Sequence, residues 1–155
     1  MRAIGIAVFG YLLSSWSTVA VPPTLSLTIT ALETNAKVGQ VVLVRVITVN
    51  ESNQPVTYYN TSTYCNYSLK VLTSAGTPAP ATDFKKGQSC GSGQLEITGR
   101  RILVMLKPGE SSAEDIRISE QYDLSQPGQY SIQVDRTFPG IGNFSSNVVN
   151  LSVTP

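Results

Sequence analysis

Over residues 24–32 the chain alternates without a break, with Leu25, Leu27, Ile29 and Ala31 on one side and Thr24, Ser26, Thr28 and Thr30 on the other. A period of two is the repeat of an extended chain with one face in a core and one in water, and no helix can satisfy it. The repeat returns at Tyr67, Leu69 and Val71, at Ile116 and Ile118, at Tyr130, Ile132 and Val134, and at Val149, Leu151 and Val153. Residues 41–49 are apolar and β-branched nearly throughout, with Arg45 and Thr48 the only polar interruptions, as in a strand covered on both faces. Shorter strands are expected at 56–59, 94–98 and 101–106. Breakers separate the runs at 35–40, 50–55, 60–63, 74–80, 87–93 and 107–110, and residues 121–125 can make one helical turn. About seven or eight short strands with this punctuation make an all-β chain, a two-sheet antiparallel β-sandwich.

The 155 residues, 41% hydrophobic and 14% charged, suffice for one domain with a core. Its first residues read differently. Arg2 precedes an apolar run over 3–13 and a small, polar stretch ending at Thr18, Val19 and Ala20, with Pro22 and Pro23 beyond. That order is a signal peptide, residues 1–20, cleaved near Ala20 to leave a β-sandwich domain over 21–155. The apolar run is shorter than the ~20 residues of a membrane helix, so no stable membrane insertion is expected after cleavage. Export to an extracellular or periplasmic compartment changes the reading of Cys65 and Cys90: an isolated pair in an oxidising space forms a disulfide rather than a metal or redox site.

The segment 106–134 carries a family texture. Leu106-Lys107-Pro108-Gly109-Glu110 is followed by Tyr122-Asp123-Leu124-Ser125 and by Pro127-Gly128-Gln129-Tyr130-Ser131-Ile132. It resembles the C-terminal half of immunoglobulin-like sandwiches in secreted microbial proteins. Pro127 and Gly128 would make a tight entry turn, and Tyr130 would open the next strand with its hydroxyl tied back to the corner. This is similar to the tyrosine corner, with Ile132 where antibody domains carry their second cysteine. With Val46-Ile47-Thr48-Val49-Asn50, Gln54-Pro55-Val56 and the strand from Tyr67 to Val71 leading to Gly76, the chain is also similar to the BsuPI-type proteinase-inhibitor domain. That likeness implies an immunoglobulin-like fold and a protease as a partner.

Composition removes several chemistries. The chain contains no histidine, so the usual proton carrier near neutral pH and the commonest metal ligand are both missing. No Ser-x-x-Lys spacing offers a substitute nucleophile and base. Glu110, Glu114, Asp115, Glu120 and Asp123 cluster in sequence, but Glu114 and Asp115 are neighbours on an expected strand and point to opposite faces. No enzyme, cofactor or metal is therefore expected. A net charge of +1 gives no field for nucleic acid.

What is left is recognition. Tyr58, Tyr59, Tyr64 and Tyr67 fall close together beside Cys65, and tyrosines offer rigid contact area with a polar tip unless alternate ones pack inward. Lys85 and Lys86 lie beside the loop that leads to Cys90, and Arg100 and Arg101 form a second basic pair. Tyr58, Tyr59, Tyr64, Lys85 and Lys86 are the candidate binding residues, and Pro127, Gly128 and Tyr130 the candidate structural corner. Sequons at Asn50, Asn60, Asn66, Asn143 and Asn150 carry glycans only in a pathway that uses them. The expected function is an extracellular binding or accessory domain for a protein or glycan. A proteinase inhibitor of BsuPI-like type and a self-associating surface protein are the alternatives.

Overall fold

The computed structural model describes residues 24–88, 90 and 101–155. The signal peptide read at 1–20, the strand expected at 94–98, most of the loop at 87–93 and Arg100 lie outside these residues.

The expected alternations become strands. β1 (Leu25–Ala31), β3 (Leu43–Asn50) and β7 (Ser111–Arg117) form one antiparallel sheet in the order β1-β3-β7. Opposite it lies a five-stranded sheet. Its order is β2 (Asn35–Lys37), β10 (Val149–Thr154), β8 (Gly128–Phe138) and β5 (Ser68–Thr73), with β9 (Gly142–Ser145) also on β8. Asp135 of β8 pairs with Ser68 of β5 on one side and Ser145 of β9 on the other, so β9 continues the edge that β10 occupies. Between the sheets pack Leu27, Ile29, Val44, Val46 and Ile116 from the first, and Leu69, Val71, Ile132, Val134 and Leu151 from the second. Two sheets closing one core in this order make an all-β, immunoglobulin-like sandwich.

Ten strands are present among the described residues, against the seven or eight expected. Residues 35–40, read as a turn, contain β2, whose three residues run parallel to β10. The sandwich is thus not wholly antiparallel. Strand β9 also went unread, because Gly142–Ser145 is too short to show a period. Helical turns occupy the connections: α1 (Thr63–Asn66), α2 (Asp83–Gly87) and α3 (Ile118–Gln121). The turn expected at 121–125 sits earlier in the chain, and Ile118 is buried in its first position.

The first sheet bends at Asn50. Past it, β4 (Val56–Asn60) and β6 (Ile102–Leu106) pair as a separate ribbon that prolongs β3 and β7. Asn50 is fully buried, and its backbone N–H and C=O bond Glu110 and Gly109. Its amide donates to the carbonyls of Gln54 at 2.8 Å and Leu106 at 2.9 Å, while its Oδ1 accepts from the Ser52 N–H and hydroxyl. Every polar group of Asn50 is thereby satisfied, which a dry corner requires. Under the ribbon lies a second apolar cluster of Leu25, Val56, Tyr58, Leu106 and Phe138.

A polar seam divides the two clusters. The inward series of β8 runs Tyr130, Ile132, Val134, then Arg136, then Phe138, so the register forces an arginine into the interior. Its side chain is 3% exposed. The guanidinium donates to the Tyr67 hydroxyl at 3.0 Å, the Tyr59 carbonyl at 3.3 Å and the Asn60 side-chain carbonyl at 2.5 Å. It faces Glu114 of β7 at 3.8 Å and lies 4.2 to 5.0 Å from the ring centres of Phe138, Tyr67 and Tyr58. Asn60 also donates to Glu114. Asp115 faces outward, as strand alternation demands, and holds Arg45 with two bonds of 2.8 and 2.9 Å.

Candidate functional site

At one end of the sandwich the three helical turns meet. The chain leaves β4 at Asn60 and turns at Ser62, whose carbonyl accepts from the N–H groups of Cys65 and Asn66 at 3.0 Å each. The Asn66 side-chain carbonyl closes the turn by accepting from the Thr61 N–H and hydroxyl. α2 begins at Thr82, whose hydroxyl accepts from the Lys85 N–H and donates to the Glu120 carbonyl at 2.5 Å. The Thr82 N–H bonds the Gln121 carbonyl, so α2 is hooked to α3 by two bonds. A disulfide between Cys65 and Cys90, Cα atoms 5.3 Å apart, then ties α1 to the segment that follows α2.

These ties set a group of side chains at the surface. The Tyr64 ring meets Phe84 edge to face at 4.9 Å, and Phe84 stays exposed. The Tyr64 hydroxyl donates to Glu120 at 2.6 Å, and Arg117 donates to the other carboxylate oxygen at 2.8 Å. Those two bonds hold the Glu120 carboxyl below the usual range, and the bond to Glu120 raises the Tyr64 hydroxyl. Lys85 donates to the Tyr122 hydroxyl and lies 3.6 Å from that ring's centre. Tyr122 passes the chain of bonds to the Leu69 carbonyl at 2.6 Å.

Beside this group lies an open depression of about 610 Å³. Its exposed lining includes Gln88, Thr137, Asn143 and Ser145, with Tyr64, Lys85, the disulfide and Phe144 around them. Two polar groups at its wall are incompletely bonded. Asn66 Nδ2 and Asp135 Oδ1 are buried without a hydrogen-bond partner, the two such side-chain atoms among the described residues. Lys70 at 2.8 Å, and then Ser145, hold the Asp135 carboxyl below the usual range, yet no bond of acceptable geometry reaches Oδ1. Gln121, 5% exposed, lines the same wall.

The structure divides the tyrosine group that adjoins Cys65 in sequence. Tyr58 is 4% exposed, packs edge to face on Phe138 at 5.0 Å and bonds Ser112, so it belongs to the core and offers no contact surface. Tyr67 is likewise internal, and burial pushes its hydroxyl up to about 12. Tyr59 is exposed, on the outer face of the β4–β6 ribbon opposite Leu103, and does not line the depression. Tyr64 and Lys85 come together beside it. Lys86 is exposed and pairs with Asp83 at 3.1 Å. At the corner, Pro127 and Gly128 lead into Tyr130, whose hydroxyl donates to the Gln126 carbonyl at 2.7 Å. Of the sequons, Asn50 is buried, Asn60 and Asn66 are bonded within the fold, and Asn143 and Asn150 are exposed. Sequence reasoning missed Gln121 and Thr137 and read Asn143 only as a sequon, because no shared motif links the three positions.

No family model and no curated protein matches the sequence. Among solved structures, the chain is similar to the CARDB domain of the PF1109 protein from Pyrococcus furiosus, in complex with di-metal ions. The two share 14% identity over 88% of this chain and 97% of that one, with a TM-score of 0.45. The β-glucosidase from Listeria innocua in complex with isofagomine aligns over 84% of this chain but 16% of its own, at 12% identity and a TM-score of 0.46. The β-glucosidase EmGH1 from Erythrobacter marinus aligns with 85% of this chain and 16% of its own, at 11% identity and a TM-score of 0.44.

Proposed function

We propose that the protein is a secreted, non-enzymatic binding module that uses the disulfide-tied end of its sandwich as the contact surface. One observation carries this reading: the disulfide, the hooked helical turns and the Tyr64–Glu120–Arg117 bonds hold Tyr64, Phe84 and Lys85 beside an open depression. Fixing side chains before contact lowers the ordering cost of binding, and an amphipathic ring at such a site supplies most of the contact area. The leader at 1–20 would deliver the domain to a compartment where the disulfide persists. No helix among the described residues is long and apolar enough to cross a membrane. The absence of histidine supports recognition over catalysis.

The likeness to BsuPI-type inhibitors rests partly on the 106–110 turn and on Pro127 to Tyr130, neither of which lines the depression. These segments serve the frame, so the inhibitor reading gains no contact surface from them. The test is affinity capture from the native extracellular medium with the mature, oxidised protein, beside Tyr64→Ala/Phe84→Ala and Cys65→Ser/Cys90→Ser versions. Specific capture by the wild type that weakens in both variants is the expected result. Capture of a protease that both variants retain would favour the inhibitor reading at another surface. Capture of nothing by any version would end the binding-module reading.

A further inference from the structure

The unsatisfied polar groups are not scattered. Asn66 Nδ2 lacks an acceptor and Asp135 Oδ1 lacks a donor, both at the wall of one depression. A buried polar atom without a partner costs about 1–3 kcal/mol, so folded proteins seldom keep them without a reason. Here they adjoin the exposed amides of Gln88 and Asn143 and the hydroxyls of Thr137 and Ser145.

The charges nearby are mostly spoken for. Asp135 is held by Lys70 and Arg136 faces Glu114, while Lys85 is turned onto Tyr122. The remaining recognition surface is therefore amide and hydroxyl, flanked by the Tyr64 and Phe144 rings. Such a surface matches a ligand whose polar groups each donate and accept, and which also carries C–H faces for a ring to cover. We infer that the depression binds a neutral, polyhydroxylated ligand, a pyranose unit of a glycan. A hydroxyl can accept from an amide N–H and donate to a carboxylate oxygen, and of the two cations among the described lining residues Arg136 already faces Glu114, leaving an acidic ligand Lys85. Both orphaned atoms lie under the surface, so the flanking side chains must change rotamer for a ligand to reach them, a common adjustment on binding.

This inference rests on the binding-module reading and names its ligand class. The experiment is saturation-transfer NMR of the oxidised mature protein, made in a host that leaves sequons unmodified. The probes are cellotriose, maltotriose, mannotriose and N-acetylchitotriose, with trigalacturonate as the acidic arm. Transfer to at least one neutral sugar is expected. Asn143→Ala and Gln88→Ala, both at exposed positions and expected to melt like the wild type, should each weaken it about two- to tenfold, the loss of one neutral hydrogen bond. Thr28→Ala, on the exposed side of β1 and outside the depression, should leave it unchanged. Transfer to no sugar would overturn the inference and leave the cavity to ordered water. Transfer to trigalacturonate alone, or transfer that survives both variants, would overturn it too. If no sugar binds while the capture experiment still yields a specific protein, the ligand class is wrong and the binding-module reading stands.

Discussion

At the scale of single residues, the interior depends on two polar side chains that hydrophobic patterning alone would not put there. Arg136 is buried among three rings with Glu114, Asn60 and Tyr67 as partners. A buried pair is a weak source of stability but a costly thing to break, since the surviving partner keeps an uncompensated charge. Arg136→Met should therefore cost about 3–5 kcal/mol in urea unfolding, and Arg136→Met/Glu114→Gln should recover a good part of that loss. Additive losses in the double variant would show that the two side chains do not act as a pair. Asn50 gives a sharper contrast. Asn50→Ala removes a donor from the Gln54 and Leu106 carbonyls, the first of which keeps the Ser52 hydroxyl, and should destabilise by about 2–3 kcal/mol. Asn50→Asp, of nearly the same size, should cost more, because it turns a carboxylate toward those two carbonyls. Equal stability of the three proteins by the same titration would remove Asn50 as the organiser of the bend.

At the scale of elements, the disulfide and one asparagine close what the sheets leave open. The disulfide spans 25 residues, and on the chain-entropy account closing such a loop contributes about 3 kcal/mol. Thermal unfolding of Cys65→Ser/Cys90→Ser should fall accordingly, and an unchanged melting temperature would mean that the unfolded chain gains no freedom from losing the bridge. Asn147, in the link between β9 and β10, bonds both the N–H and the C=O of Ile29 at 2.8 and 3.0 Å. One side chain thus imitates a strand neighbour for β1 and covers part of its edge. These features also mark how far the fold was legible. Long strands with one wet face, such as Leu25–Ala31, announce themselves because the period is imposed by the pleat. Carried two steps past Val134, the same count would have placed Arg136 inside, but a charge reads as the end of a buried series. β2 escaped because three residues hold no period and its support comes from β10, more than a hundred residues later. The tyrosines misled in part, since Tyr58 and Tyr59 are adjacent and must face opposite ways. The depression was illegible for a related reason: its wall joins α1, α3, β8 and β9, which only the fold brings together.

At the scale of the whole molecule, the charges set a window of stability. Bonds to Arg45, to Tyr64 and Arg117, to Ser125, and to Lys70 and Ser145 hold Asp115, Glu120, Asp123 and Asp135 below their ordinary values. A carboxyl depressed on folding adds stability above its unfolded value and loses it as pH falls through the folded one, so these contributions fade below about pH 4. Tyr67 works in the opposite direction. Burial raises it to about 12, so its contribution is complete below the ordinary tyrosine value near 10 and is lost between the two. With no histidine in the chain, the urea midpoint should be nearly flat between about pH 5 and 9, falling on either side. Tyr67→Phe should soften the alkaline fall, and an unaltered alkaline limb would assign it to other groups. The pairing of β2 with β10 adds a mechanical consequence. Their strands run parallel, and the carbonyls of Thr34 and Thr154 accept from Ser152 and Val38 at 2.8 and 2.9 Å at the two ends of the ladder. Tension pulling β2 by its N-terminal end and β10 by its C-terminal end loads those bonds lengthwise and all at once, instead of peeling them singly. A short strand that adds little to the core thus becomes a latch that holds β10 against a lengthwise pull.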